Sequence, residues 1–427
     1  MTISIEEVPF SELLSEVVDN RGKTCPTAET GIPLIATNCI RNEQLYPTYD
    51  KVRFISRETY DNWFRGHPKP GDIIFVNKAT PGRVCLVPDP VDFCIAQDMV
   101  ALRANPKRVY PKFLFAVLRS PNVQERIGRM HVGTLIPHFK KGDFDKLLLP
   151  IPGRKEQEFI GDTYFEFSAK IDLNRRMNET LEAIARAFFK SWFVDFDPVR
   201  AKAEGRDPGL PKQIADLFPD SFEDSELGEI LKGWEIGTLA DCASLNPESW
   251  SRDTRPEIIN YVDLSNTKWG RIEAITTYAQ QDAPSRAQRI LRPQDTIVGT
   301  VRPGNGSYAF ISEDGLTGST GFAVLRPMKP EYAEFVYLAA TATENIEALT
   351  HLADGGAYPA VRPEVVAATR VIRPSDEVLR SFSCITRPLL AKMACNERES
   401  RALAILRDTL LPKLISGDVT LAINRME

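Results

Sequence analysis

Two short runs of this 427-residue chain gather side chains able to recognise a polar partner. Asn77-Lys78-Ala79-Thr80-Pro81-Gly82-Arg83 follows an apolar, strand-like run and offers an amide, an ammonium, a hydroxyl and a guanidinium on one turn. The run 300–308 has the same character, with Arg302, Asn305, Ser307 and Tyr308 after a second strand-like stretch. Arginine and lysine suit guanine edges or phosphate, and asparagine suits adenine. His138, Lys140 and Lys141 form a third group, in which the lysines are expected to meet phosphate. Ser319 and Thr320 precede a strand and can support the same surface, while Arg286 and Arg289 add two cations. A solvated hairpin tip would carry the same residue types, and Tyr358 reads as core. What raises the first two runs together is that they fall at matching places in a repeated pattern.

Catalytic groupings are missing from the sequence. No NPPY or DPPY element could hold an extruded adenine, and no glycine-rich loop follows a first strand; Asp197-Pro198-Val199 is only a fragment of such a motif. Gly22-Lys23-Thr24 matches the end of a phosphate-binding loop, but Val17 stands where its leading glycine belongs. Asp89 and Asp92 lack the following Glu-x-Lys that a metal-dependent nuclease would use. No glycine pattern frames a serine as a nucleophile elbow. The seven cysteines are odd in number and never spaced CxxC, and of the four histidines only His131 and His138 are close. These features argue against a disulfide framework and against bound metal, and point to a reducing compartment.

The net charge is −5, with the acidic excess mainly in the central segment and the first globular block mildly basic. No apolar run reaches the roughly 18 residues of a membrane span, and the N-terminus is acidic rather than basic and then apolar. A cytoplasmic protein without membrane contact is expected.

The elements that position these groups repeat at an offset of about 222 residues. Gly71-Asp72-Ile73-Ile74 corresponds to Gln294-Asp295-Thr296-Ile297, Leu102-Arg103 to Leu325-Arg326, and GTLIP from Gly133 to GGAYP from Gly355. Each half then enters a long amphipathic helix. The first carries the stripe Ile160, Tyr164, Phe167, Ile171, Asn174, Asn178, Leu181, Ala185, Phe188, Trp192 in alternating steps of four and three. The second repeats it, so that Asn174 falls on Asn396 and Asn178 on Ser400.

The expected order is globular 1–152, helix 153–196, connector 197–233, globular 234–374 and helix 375–427. Mixed short strands and helices make each block α+β. The two helices are expected to pair as an antiparallel coiled coil about a pseudo-twofold axis, with Asn174 facing Asn396 and the four polar residues setting the register. A helix of about 38 residues is roughly 57 Å long. Pro198 is expected to end the first helix and Pro412 to kink or shorten the second. Ile214 to Phe218 could dock as one helical turn. Phe188, Phe189, Trp192 and Phe193 cover more of the helix than one partner helix buries, so they could bind another subunit or pack on the connector or a globular block.

The stretch LNRRMNETLEAIARAFFKSWFVDFDPVRAKAEGRDPGLP from Leu173, then IADLFPDSF and SELGEI with Gly233-Trp234, resembles the specificity subunit of Type I restriction-modification systems. The ending LRDTLLPKLISGDV, residues 406–419, is similar to that family's C-terminal helix. The resemblance covers the whole chain and is strongest in the central helix and connector. It implies two target-recognition domains, 1–152 and 234–374, each reading one half of a split, asymmetric double-stranded DNA site. It also implies a non-catalytic chain without a cofactor of its own. The modification subunits, two of them, would hold S-adenosylmethionine, and restriction subunits driven by ATP with magnesium could join. A spacer of paired helices suits half-sites about 34 Å apart, and changing its length should change the gap. The rival reading is a non-catalytic coiled-coil scaffold joining two protein-binding domains.

Overall fold

The run Ile73–Val76 is apolar at every position because both of its faces are covered. Alternate side chains point to opposite faces of a strand. Ile73 and Phe75 accordingly enter one core with the helices, and Ile74 and Val76 enter another. Thr296–Gly299 repeats the arrangement, with Ile297 and Val298 in separate cores. The computed structural model describes residues 5–20, 23–130, 137–225, 228–251, 253–356 and 358–419. The chain divides into two compact units, Met1–Arg176 with Glu397–Glu427, and Met177–Asn396. Among the described residues no helix is long and apolar enough to cross a membrane.

In the first unit an antiparallel sheet runs in the order Leu14–Asp19, Met99–Ala104, Ile73–Val76, Val84–Leu86. A second sheet places Ile32–Ile35 between Arg53–Ile55, antiparallel, and Cys94–Ile95, parallel. Glu6–Pro9 pairs with Leu148–Ile151. Helices Pro111–Arg119 and Pro121–Met130 complete the block.

The second unit has the same topology. Its first sheet runs Ala243–Leu245, Phe322–Pro327, Thr296–Gly299, Tyr308–Phe310. In its other sheet Ile258–Val262 lies antiparallel to Thr276–Ala279 and parallel to Leu316–Ser319, and Ala287–Leu291 adds a fourth strand. Glu235–Thr238 pairs with Arg370–Arg373, and Ala333–Ala340 and Thr343–Leu352 are the helices. The expected α+β repeat is present in strand order and direction.

The matches that made the repeat legible are the two halves of one ion pair. Arg103 Nε and Nη2 donate to Asp72 at 2.9 and 2.8 Å, and Arg326 Nε and Nη2 donate to Asp295 at 2.8 and 2.9 Å. The third donor of each guanidinium reaches Glu16 in the first unit and Glu248 in the second. Both aspartates are buried, and each also accepts a backbone N–H at 2.8 Å, from Lys69 and from Arg292. Glu248 and Asp295 together hold Arg326 more firmly protonated than an ordinary arginine.

The central helix is Arg154–Phe193 and the C-terminal helix is Asp376–Ser416. Within the first unit, Arg407 lies over the Tyr164 ring at 5.2 Å and donates to Ser168 at 3.3 Å. Asn174 donates to Glu399 at 2.8 Å and Ser400 at 3.2 Å. Within the second unit, Trp192 packs on Phe382 at 5.7 Å, Asn178 donates to the Met393 carbonyl at 3.1 Å, and Asn396 donates to Asn178 at 2.8 Å. In both units residue numbers rise along one helix as they fall along the other, so the segments run antiparallel. Gly161 lets the central helix approach Lys112 and Phe113, because a Cβ there would sit 2.5 Å from the Phe113 backbone nitrogen.

Two proline expectations are corrected. The central helix stops at Phe193, before Pro198, which instead lies in the first turn of a new helix, Asp197–Ala203, after Phe196 turns left-handed at φ 56°. A missing N–H costs nothing in a first turn. The C-terminal helix passes through Pro388 and Pro412 and continues to Ser416, with Leu411, Leu414 and Ile415 held in the core of the first unit. The connector is folded onto the second unit through Val199, Phe218 and Leu231, and Lys212–Ala215 is the short helix next to Phe218.

Replacing Arg326 by Ala should lower the stability of the second unit by about 3 kcal/mol or more, because Asp295 stays fully buried with its countercharge gone. Urea unfolding of the variant would measure the loss, and adding Asp295→Asn should recover part of it. Asn396→Ala should cost about 1–3 kcal/mol by leaving the buried Asn178 carbonyl oxygen short of a donor. Leucine at both 178 and 396 should recover that loss in a thermal melt, and an unchanged melt for Asn396→Ala would rule out the contribution.

Candidate nucleic-acid interface

At the end of Ile73–Val76 the loop of the first unit is pinned from inside. Asn77 donates its side-chain amide to the Phe139 carbonyl at 3.0 Å, its carbonyl accepts the Phe139 N–H at 2.8 Å, and its own N–H goes to Asp98 at 2.9 Å. Ala79 takes a left-handed φ of 69° and donates to the Pro137 carbonyl at 3.0 Å. Lys78 and His138 pair as an isolated bridge. Lys78, Thr80, Arg83 and His138 are thereby gathered on one half-exposed tip, beside the exposed Lys140 and Lys141.

These cations are lightly engaged. Lys78 Nζ lies 4.0 Å from Asp98, Lys141 Nζ lies 3.6 Å from Asp19, and Arg83 donates to the Ile40 carbonyl at a long 3.5 Å. Exposed pairs of this kind are worth at most about 1 kcal/mol. The lysines can therefore exchange a carboxylate for a phosphate at small cost. Residues 133–136 of the neighbouring candidate loop lie outside the described residues.

The second unit builds its tip in the same way. Thr300 takes the place of Asn77, with its N–H on the Gly321 carbonyl at 2.8 Å and its own carbonyl accepting from Val361 at 2.9 Å. Arg302 takes the place of Ala79, left-handed at φ 48°, and donates its backbone N–H to the Pro359 carbonyl at 2.7 Å. Its exposed guanidinium stands 4.6 Å from the Tyr358 ring. Thr320 donates its N–H to the Arg286 carbonyl at 2.8 Å, which ties the exposed Arg286 to this side of the unit. Arg289 is half-buried and donates to Ser249 at 3.1 Å; burial lowers the pKa of its guanidinium, with Glu364 opposing. Asn305 is exposed.

Several expected contact residues are instead buried. Asn77 holds the loop together, Ser307 donates to the Leu264 carbonyl at 3.0 Å, Tyr308 faces Arg186 inside the unit, and Ser319 accepts the Gly321 N–H at 3.2 Å. Their polar atoms serve the protein's own backbone and side chains, so they shape the surface without facing solvent. Tyr358 goes the other way: expected in the core, it is 70% exposed. Trp269, which carried no weight in the sequence, stands 55% exposed beside the second tip. The only sequence hint was the Trp-Gly step.

The proposed partner surface on the central helix is also corrected. Trp192 is 1% exposed and Phe193 is buried, while Phe188 and Phe189 pack against the same core. Phe218 and Trp234 explain the difference, since they meet Trp192 at 5.1 Å and Phe193 at 6.1 Å. Trp192 and Phe193 are interior to the second unit, while Phe188 and Phe189 stay partly exposed at its edge. Among the described residues no group of His, Cys, Asp or Glu is placed to hold a metal ion.

Comparison with known proteins agrees with this geometry. A family model described as the Type I restriction modification DNA specificity domain matches residues 16–183. The chain is 27% identical to the Type I restriction enzyme HindI specificity subunit of Haemophilus influenzae, over 82% of this chain and 87% of that protein. It is 23% identical to the MjaIX specificity subunit of Methanocaldococcus jannaschii, over 91% of this chain and 87% of that protein. The crystal structure of the Type I restriction-modification S subunit from M. genitalium shares the fold, with a TM-score of 0.56 at 18% identity, covering 97% of this chain and 99% of that one. With its repeated topology and relatives that match it along most of its length, the chain is similar to the specificity subunits of Type I restriction-modification systems.

Proposed function

We propose that this chain is the DNA-reading subunit of a Type I restriction-modification complex, with each unit reading one half of a split, asymmetric site. The observation that carries the proposal is the twice-built tip, in which one backbone arrangement presents different side chains. A chain with two similar but unequal readers fits a target with two unequal halves. In the first unit Lys78, Arg83 and His138 face the bases, Lys140 and Lys141 meet phosphate, and Thr80, whose hydroxyl oxygen is buried, supports the tip. In the second, Arg302 and Asn305 read base edges, with Arg286, Arg289 and Thr320 alongside. The paired helices set the spacing, and Asn174, Asn178, Asn396 and Ser400 set their register. The chain itself is non-catalytic. Two modification subunits bring S-adenosylmethionine for adenine methylation, restriction subunits bring ATP and magnesium for cleavage, and the complex works in the cytoplasm.

Co-expression with its modification subunits in a host lacking other adenine methylation, followed by methylation sequencing, tests the proposal. A two-part motif with a fixed gap, methylated on both strands, is the expected outcome. No methylation, or a single uninterrupted motif, would contradict it. Binding to a duplex with that motif should fail when either half is scrambled, which a protein scaffold would not show.

The double substitution Lys140→Gln, Lys141→Gln should weaken binding to all duplexes alike. It should also reduce the slope of log Kd against log salt by about 2, near one per lost phosphate contact. Fluorescence anisotropy across a salt series would measure this, and an unaltered slope would remove the two lysines from the interface.

A further inference from the structure

Trp269 is built into the second unit in a way that core packing does not account for. Its backbone is left-handed at φ 49°, a conformation that bulky residues rarely adopt. Two backbone hydrogen bonds fix it there, from the Trp269 N–H to the Gly306 carbonyl at 2.6 Å and from the Gly270 N–H to the Tyr308 carbonyl at 3.0 Å. The indole lies directly on Gly306, where a Cβ would come 2.6 Å from the ring, so no larger residue fits beneath it. Tyr308 meets the indole edge-on at 6.0 Å. After this arrangement, 55% of the residue still faces solvent. Backbone strain persists where its surroundings over-determine it, and it concentrates at ligand-contacting positions.

The neighbours identify the partner. Gly306 directly follows Asn305, in the same loop as Arg302, and Arg302 lies over Tyr358, which is 70% exposed. One tip therefore carries a cation, an amide and two accessible rings. In a DNA groove these match phosphate or guanine, adenine, and the apolar thymine methyl or an unstacked base step. A protein hot spot could also use a tryptophan and an arginine. The cationic tip at the same place in the first unit favours nucleic acid, since Lys78, Lys140 and Lys141 stand there without an exposed tryptophan beside them.

We propose that Trp269 is a specificity-determining residue of the second unit, its indole making the apolar contact with a base of the half-site that this unit reads, thymine being the best match. The inference rests on the DNA-reading function proposed above. The test uses the full chain assembled with its modification subunits and a duplex bearing the motif mapped for the wild type. Trp269→Ala should bind that duplex at least tenfold more weakly, leave binding to unrelated duplex unchanged, and broaden the methylated motif in one half only. Trp269→Phe should retain most of the affinity, and the quenching of indole emission seen when wild type binds should shrink in this variant.

A melting curve on Trp269→Ala separates misfolding from lost contact, and Trp269→Phe carries the test should Trp269→Ala not fold. Wild-type affinity and motif in both variants would overturn the proposal while leaving the DNA-reading function intact. Loss of the modification subunits from Trp269→Ala, with duplex affinity retained by the remaining chain, would also overturn it in favour of a protein contact. A wild type that methylates no split motif would overturn both.

Discussion

In each unit the hydrophobic core is completed by segments of both long helices. In the first, Ile160 and Tyr164 of the central helix and Leu411, Leu414 and Ile415 of the C-terminal helix complete the packing around Phe113–Leu118. In the second, Ala185, Trp192 and Phe193 do so together with Phe382 and Leu390. Each large side chain fully buried in this way contributes about 1.5–3 kcal/mol, so these helical segments are structural parts of the units they join. Bringing residue 411 to residue 160 requires a long loop to close. Closure entropy grows only logarithmically, by about 0.6 kcal/mol per doubling, and a handful of buried leucines and isoleucines outweighs it.

The same helical segments carry their polar residues inside. A buried amide stabilises less than leucine would, but it penalises any register that leaves it facing a hydrocarbon. In the second unit Asn178 both donates to the Met393 carbonyl and accepts from Asn396, so a shift of one turn would forfeit two hydrogen bonds at once. In the first, Asn174 is similarly tied to Glu399 and Ser400. Alignment of the helix segments in each unit thus depends on geometry that apolar packing alone would leave degenerate.

What could be read from the sequence was what has a period or a repeated partner. The stripe from Ile160 to Trp192 was legible because one apolar face of a helix recurs every three to four residues. Asp72 with Arg103, and Asp295 with Arg326, were legible as matched pairs, and they are matched because each pair bonds. Burial of individual polar residues was not. Asn77, Ser307, Tyr308 and Ser319 have side chains equally suited to a base edge or to an internal partner, and only tertiary structure decides which they meet. Trp192 and Phe193 misled for a related reason: the rings that cover them arrive from elsewhere, Phe218 from the connector and Trp234 from the residue just after it. The helix-ending rule for proline did not stop the C-terminal helix at Pro412, beside which Leu411, Leu414 and Ile415 are buried.

Ala79 and Arg302 show how one fold can serve two different targets. Both residues sit at the left-handed position of the same loop, and both donate a backbone N–H to a proline carbonyl across from it. At one site the side chain is a methyl group, and at the other a guanidinium over an exposed ring. The hydrogen bonds that aim the loop are made mainly by backbone atoms, with Asn77 and Thr300 each adding one inward side-chain bond, so the outward side chains can change while the aim is kept. Under the proposed function, the target is then written in a few outward residues per unit. Two units whose outward residues differ as Ala79 does from Arg302 would read a palindrome poorly, because its identical halves would present the same base edges to two dissimilar tips.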